Sequence, residues 1–360
     1  MFYAGISVSD MNKIYIIVCC LIWIIAGFSI NNPVTPYQFP ELRFFPEMPV
    51  PENNPVTKEG VDLGRYLFYD PILSLSQTMS CASCHRQGKA FSDAPQIFSK
   101  GKNEIPTKRN AMPLFNLAWY PSLFWDGRAA SIEDQVLHPV ADTGEMNLPW
   151  TEAARRVNNS PFYKPKFKVA FGEREIDSVL IAKAIGQFLR TLISHQSKYD
   201  RVLAGEDFLT KDEYDGFVLM NDMTKGNCLH CHTTDADVLG TTRKFSNNGL
   251  DPINDPLAYR DKGLGGFTNN LEDNGKFKIP SLRNVELTAP YMHDGRFATL
   301  EEVLNFYSEG VNQSANVDSK MRFAHPKGVG LTKNEQYKII VFLKTLTDSS
   351  FIANPAFSKP

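Results

Sequence analysis

Cys81-Ala82-Ser83-Cys84-His85 and Cys228-Leu229-His230-Cys231-His232 are two copies of one pentapeptide, C-x-x-C-H. Its spacing suits one chemistry: two thiols add to the two vinyl groups of a porphyrin, and the adjacent histidine turns under the ring to ligate the iron. The pair predicts two covalently attached c-type haems. Cys81 and Cys84 would hold the first and Cys228 and Cys231 the second, with His85 and His232 as axial ligands. A zinc ribbon also pairs C-x-x-C elements, but its knuckles stand roughly 15 to 20 residues apart. A thioredoxin-like dithiol needs a βαβ setting, which neither motif has.

Four of the six cysteines belong to these motifs. The others, Cys19 and Cys20, lie in the apolar run Ile14–Ile30, so no thiol is left for a disulfide framework in the rest of the chain. That run follows Lys13 and precedes the Pro-rich stretch Asn31–Pro55. It reads as a secretory h-region, with Gly27 and Ser29 as small residues near a cleavage point, and Met11 as a second candidate start. It is slightly long for a signal and slightly short for a spanning helix, which leaves an uncleaved membrane anchor open. Either way the folded part is expected in the periplasm, where c-type haem is attached in bacteria.

The organisation expected is a signal peptide or anchor over 1–30, a Pro-rich linker over 31–55, an N-terminal haem domain over 56–204, a C-terminal haem domain over 205–350 and a tail over 351–360. A formal net charge of -2 provides no basic stripe and argues against a nucleic-acid partner.

An internal repeat supports two like domains. Arg109-Asn110 precedes Asp126-Gly127-Arg128-Ala129-Ala130-Ser131-Ile132-Glu133-Asp134, and Arg283-Asn284 precedes Asp294-Gly295-Arg296-Phe297-Ala298-Thr299-Leu300-Glu301-Glu302. Order and chemistry agree, so the halves read as cytochrome c-like units from a duplication, with haems facing across the junction. The fold class expected is mainly α, with loops such as Gly263–Gly275 wrapping the haems. Thr210-x-x-Glu213 opens an amphipathic stretch with Tyr214, Phe217, Val218 and Met220. Thr332-x-x-Glu335 opens a last helix with Ile339, Ile340, Phe342 and Leu343. Ser131 and Thr299 start equivalent helices, and Glu175–Tyr199 reads as one long helix ending the first domain. No period-2 run is long enough for a central sheet.

The repeat also distinguishes the two irons. Counting from the aspartates of the two D-G-R segments places Pro139 opposite Tyr307. Proline has nothing to ligate with, whereas tyrosinate is a known haem ligand. The first iron would be open to a small oxidant and the second closed. Glu145 follows Pro139 closely and could move a proton between the oxygens of a bound peroxide, although a lone Glu is usually solvated surface. Gln135 precedes Pro139 by one helical turn and would share its face.

These residues resemble the bacterial di-haem cytochrome c peroxidases, with their MauG-like branch, over nearly all of Pro51 to Leu346. The resemblance rests on S-C-A-S-C-H, R-N-A-M-P, F-W-D-G-R-A, E-M-N, C-L-H-C-H, I-P-S-L-R-N-V, A-P-Y-M-H-D-G-R-F and T-L-E-E-V in that order. It implies that Trp125 lies between the haems on the electron path as well as packing the core, that Glu145 is the distal catalytic glutamate, and that Gln135 is the distal glutamine. It further implies a calcium ion held by the Asn110 side chain and the carbonyls of Thr288 and Pro290, oxygen ligands of the kind calcium takes.

Departures from the family pattern matter too. No histidine lies between His85 and His138, so the loop ligand that closes the first iron in many of these enzymes is missing. Tyr307 stands where the usual methionine ligand would be, as in the MauG-like branch. Met292, opposite Phe124 in the repeat, is the alternative ligand, with His293 and His230 candidates by type alone. Lys225-Gly226-Asn227 replaces the surface tryptophan through which MauG oxidises its partner. The function implied is reduction of hydrogen peroxide to water with electrons from a small cytochrome c or cupredoxin. The alternatives are a MauG-like oxidant of a partner protein and a non-catalytic di-haem electron carrier; a homodimer is left open.

Overall fold

The structure, a computed structural model, describes residues 34–101, 103–233, 239–322 and 327–360. The expected leader or anchor, with Met11, Cys19 and Cys20, lies outside them. Among the described residues no helix is long and apolar enough to cross a membrane.

Helices dominate. The first half carries α1 (Lys58–Tyr69), α2 (Ile132–Ala141), α3 (Trp150–Asn159), α4 (Tyr163–Phe171) and α5 (Ser178–Thr191), and the second carries α6 (Lys198–Leu203), α7 (Lys211–Asn221), α8 (Leu300–Asn305) and α9 (Lys333–Lys344). One antiparallel pair of two-residue strands, β1 (Phe245–Ser246) and β2 (Phe277–Lys278), is formed, with Phe245 opposite Lys278. Helix starts follow local chemistry: Thr210, Thr299 and Thr332 each close a capping box with the glutamate three residues on. Ser131 caps α2 by accepting from the Asp134 N–H at 3.0 Å.

Both halves use the same helix crossing. In the first, α1 lies on α5, where a Cβ added at Gly64 would meet the Ala184 carbonyl at 1.9 Å and Phe188 Cβ at 3.0 Å. In the second, α7 lies on α9, where one added at Gly216 would meet the Lys338 carbonyl at 2.1 Å and Phe342 Cβ at 2.9 Å. Only a residue without a side chain lets the backbones come this close. One main core gathers around α1, α2 and α5 and includes Leu63, Leu67, Phe68, Ile181 and Phe188; a second includes Met220, Leu304, Ile339, Phe342 and Leu343.

The duplication extends to the connecting loops. Asn116 (φ 54°) and Asn284 (φ 56°) open the 3-10 turns Leu117–Trp119 and Val285–Leu287, and the bridges Leu123–Ala129 and Tyr291–Phe297 close the loops that follow. Here the sequence match needs correcting. The partner of Asn284 is Asn116, not Asn110: the left-handed asparagine repeats, whereas the Arg-Asn dipeptide recurs without sharing that role.

The helix expected over Glu175–Tyr199 is two helices, α5 and α6. Between them tertiary partners take the backbone: Asn116 N–H donates to the Leu192 carbonyl at 2.9 Å, and the Asp348 carboxylate accepts from the N–H groups of His195 and Gln196 at 2.8 and 2.9 Å. In α7, Tyr214 and Val218 are 57% and 44% exposed, because the face turned to α9 is set by Gly216 and Met220. Residues 351–360, expected as a tail, bring Phe351 and Phe357 into the first core, and the Arg65 and Tyr69 side chains of α1 donate to the carbonyls of Ser358 and Phe357. The Gly263–Gly275 loop contains a helical turn, Gly265–Thr268. At the end of the Pro-rich stretch Asn54 is buried, its amide donating to Glu133 at 2.5 Å.

Candidate haem sites

At the first motif, Cys81–Cys84 forms one helical turn, with Ser80 and Ser83 bonding reciprocally at its start. His85 Nδ1 lies 2.7 Å from the Phe91 carbonyl. At the second, Cys228–His230 is a 3-10 turn and His232 Nδ1 lies 2.9 Å from the Pro280 carbonyl. A carbonyl can only accept, so each Nδ1 carries the proton and each Nε2 is left as a ligand. Burial holds both rings in the neutral form that ligation requires, shifting His85 downward and His232 to about 4. None of the four motif cysteines is joined in a disulfide, which leaves each pair available for haem attachment. Thr233 and Thr242, flanking the second motif, hold buried hydroxyls with no hydrogen-bond partner among the described residues, as expected of side chains lining a cofactor. The residues present therefore fit two haems.

Glu145 sits on the loop after α2, and that loop folds back over Pro139, whose carbonyl accepts from Met146 N–H at 3.1 Å. Burial, then the neighbouring Asp142, pushes the Glu145 carboxyl up to about 7, with Arg128 opposing. Its field reaches the thiols of both Cys81 and Cys84. The loop after the first motif passes close by: a Cβ added at Gly101 would meet the Gly144 carbonyl at 1.9 Å. Gln135 is half-buried on α2, one turn before Pro139.

Trp125 lies at the junction of the two halves. Its indole N–H donates to the Asn110 carbonyl at 2.8 Å, and its own carbonyl accepts from Lys278 N–H at 2.9 Å. Arg109 clamps the same junction, donating to both Asp261 oxygens at 2.8 and 2.7 Å and to Asp126 at 2.7 Å. Although burial would raise it, Asp126 is held below the usual carboxylate range by Arg109.

Tyr307 falls in a π-helical turn, Phe306–Gly310, a form often found at functional sites. Its hydroxyl accepts from Asn248 Nδ2 at 3.1 Å. Burial pushes the phenol up to about 12 against the Asn248 bond, and the nearby Cys231 and Cys228 add to this. Met292 Sδ lies 3.6 Å from the same Asn248 nitrogen. Both expected ligand candidates thus converge on one pocket. The candidates by type do not: His293 stacks on Phe277 at 3.6 Å, and His230 is exposed.

Of the residues expected to bind calcium, Asn110 is tied to the second half, its N–H donating to the His293 carbonyl at 2.8 Å. Its side-chain amide donates to the carbonyls of Gln96 and Ile97 at 3.2 and 3.0 Å.

Sequence reasoning missed three participants. Pro280 orients His232 from far along the chain, and Asn248 touches both ligand candidates. Lys278 is 3% exposed beneath Trp125, its amine donating to the Ser122 carbonyl and lying 5.0 Å from the centroid of the Tyr120 ring. Burial pulls that amine down to about 7, with Asp126 opposing. The buried lysine's position in β2 had no sequence signal.

Residues 58–208 match the family model described as di-haem cytochrome c peroxidase. The chain is 35% identical to the methylamine utilization protein MauG of Methylorubrum extorquens, over 83% of this chain and 81% of that protein. It is 34% identical to the cytochrome c551 peroxidase of Nitrosomonas europaea, over 84% of each. It also resembles the crystal structure of a MauG-like protein associated with microbial copper homeostasis, with a TM-score of 0.83 at 35% identity, covering 90% of this chain and 99% of that one. Two haem-binding halves built on one helical plan, and relatives sharing that plan along most of the chain, place this protein among the oxidoreductases of the di-haem cytochrome c peroxidase family.

Proposed function

We propose that this protein reduces hydrogen peroxide to water at its first haem, with electrons delivered through the second from a small c-type cytochrome or cupredoxin in the periplasm. The observation that carries this reading is the contrast between the two sites: the half-buried Glu145 on the loop that folds back over Pro139 at the first, and Tyr307 near the cysteine pair of the second.

Haem c, held by Cys81, Cys84 and His85, would supply the iron chemistry for reducing peroxide by two electrons. Glu145 as carboxylate accepts a proton from one peroxide oxygen and returns it to the other, which leaves as water. The cycle closes when the donor returns two electrons and solvent supplies two protons, so that one peroxide yields two waters. A carboxyl near 7 donates and accepts about equally well at neutral pH. Gln135 lines the same face. Trp125, fixed at its N–H and its carbonyl, carries electrons between the halves. The Asn110 side chain, with the carbonyls of Thr288 and Pro290, would hold calcium. Because the Asn110 carbonyl already mounts the Trp125 indole, a cation there would stiffen that mount.

Tyr307 supports a second reading, oxidation of a partner protein as MauG does, because a phenolate ligand favours higher oxidation states. Lys225-Gly226-Asn227 argues against the same exit route. Electronic and EPR spectra of the oxidised protein test the enzyme reading: one open high-spin iron and one six-coordinate iron are expected. Two six-coordinate irons would point instead to an electron carrier.

A further inference from the structure

We propose that Asn248 is the positioning residue that keeps Tyr307, rather than Met292, on the iron of the second haem. This rests on the reading of Tyr307 as that iron's ligand. The geometry sets up a choice. One nitrogen, Asn248 Nδ2, stands 3.1 Å from the Tyr307 oxygen and 3.6 Å from the Met292 sulfur, so two chemically different ligands lie within reach of one amide. Both side chains belong to the same apolar cluster with Leu250, Phe297, Phe306 and Val311. Packing alone therefore does not separate them.

The amide does. A ligating tyrosinate has no proton, so its oxygen can only accept, and an N–H donor stabilises that anionic form where an apolar neighbour would not. The second N–H of the same amide engages the Met292 sulfur through the lone pairs a thioether would offer to iron. One side chain thus favours the hard anionic ligand and occupies the soft neutral one.

Asn248 is built to hold still. Its neighbour Asn247 is 4% exposed and donates to Tyr259 Oη at 2.8 Å, while accepting from Gly249 N–H at 2.9 Å. Gly249 has φ 74°, and its carbonyl accepts from Asn312 N–H at 2.9 Å. The amide is clamped on both sides along the chain, which is how a supporting residue fixes the geometry of the group it serves. Met292 itself has φ 76°, a backbone state costly for a residue with a side chain, and its repeat counterpart Phe124 has φ 64°. That shared conformation is a property of the duplicated loop, so Met292's nearness to the pocket is inherited and needs an active counterweight.

The test compares wild type, Asn248→Leu, Asn248→Asp and the double variant Asn248→Leu/Met292→Leu, each as the full di-haem protein. EPR and far-red absorption of the oxidised form, and the midpoint potential of the second haem, are read. In wild type a tyrosinate-ligated second haem is expected. In Asn248→Leu the tyrosinate signature should be lost, a thioether-to-iron band should appear, and the potential should shift upward. Asn248→Asp, which keeps the shape but turns an acceptor toward the phenolate, should shift the same way and carries the test if the leucine variant fails to hold haem. The double variant should show no thioether band. The first haem's spectrum should stay native throughout. A tyrosinate signature intact in both single variants, with the potential unchanged or lower, would overturn the role of Asn248. A methionine-ligated wild type would instead overturn the Tyr307 reading beneath it.

Discussion

Asn116 and Asn284, one from each half of the duplication, meet on a single residue, Ser194. Asn116 donates to the Ser194 carbonyl at 3.1 Å and accepts from its N–H at 2.9 Å, while Asn284 donates to its hydroxyl at 3.0 Å. Asn284 also accepts from Asp348 N–H at 2.8 Å, as Asn116 does from Ser194 N–H in the other half. The connection between α5 and α6 is thus the place where the two halves are stitched together, and this is why it is not helical.

Asn284 is fully buried, so its removal leaves the Asp348 N–H without a partner, while the Ser194 hydroxyl keeps its bond to the Asp348 carboxylate. Asn284→Ala should cost about 1 to 3 kcal/mol, the cost of one buried donor left unsatisfied. Urea unfolding of the holoprotein reads this directly. A loss below about 1 kcal/mol would mean that water replaces the asparagine.

The two crossing glycines make a prediction about sign. Gly→Ala inside an exposed helix normally gains up to about 1 kcal/mol. At Gly216 the new methyl would meet the Lys338 carbonyl at 2.1 Å, so overpacking of about 1 to 3 kcal/mol should win and the variant should be less stable. Gly64→Ala should behave alike. Gly88, with nothing within 4 Å of an added Cβ, is the control and should tolerate alanine.

Glu145→Gln keeps the size and removes the proton shuttle. Peroxide turnover should fall on the order of a hundredfold or more while the haem spectra stay native. Because the carboxylate is the form that accepts a proton, wild-type kcat/KM for peroxide should rise with pH through about 7, and the variant should lack that rise. The stability effect has the opposite sign. With the folded pKa raised, the protonated side chain is accommodated at low pH, and stability is lost as pH climbs through about 7. Glu145→Gln should remove that loss.

Lys278→Met addresses the buried amine. In the folded protein the amine is neutral above about 7, whereas unfolded it stays protonated up to its ordinary value of 10.5, so the unfolded chain binds more protons between these limits. Wild-type stability should therefore gain from this residue as pH rises across that window. The methionine variant should lose the gain and be relatively most stabilised at the acid end. Chemical unfolding midpoints across the pH range measure it, and parallel curves for the two proteins would refute it.

Local spacing along the chain was enough for much of this protein. The C-x-x-C-H loops, the capping boxes at Thr210, Thr299 and Thr332, and the opposition of Pro139 to Tyr307 depend on residues a few positions apart, or on two copies of one pattern compared with each other. A helix cap is closed within three residues, and haem attachment within five, so no distant partner is needed to read them. The mainly α class, the two haem-binding halves and the family followed from that.

What only the tertiary structure decided depends on partners far apart in sequence. His232 is oriented by Pro280, Arg109 is paired with Asp261, and Phe351 is buried in the first core. The break after Thr191 arises because Asn116 and Asp348 outcompete the helix for its backbone groups, an outcome invisible to periodicity. The same holds for the repeat's true asparagine, since Arg-Asn recurs as a dipeptide while φ and hydrogen bonding belong to Asn116. Asn248 and Lys278 carry no motif at all. An amide or an amine acquires its role only when folding removes water from it and leaves a few protein atoms as its partners.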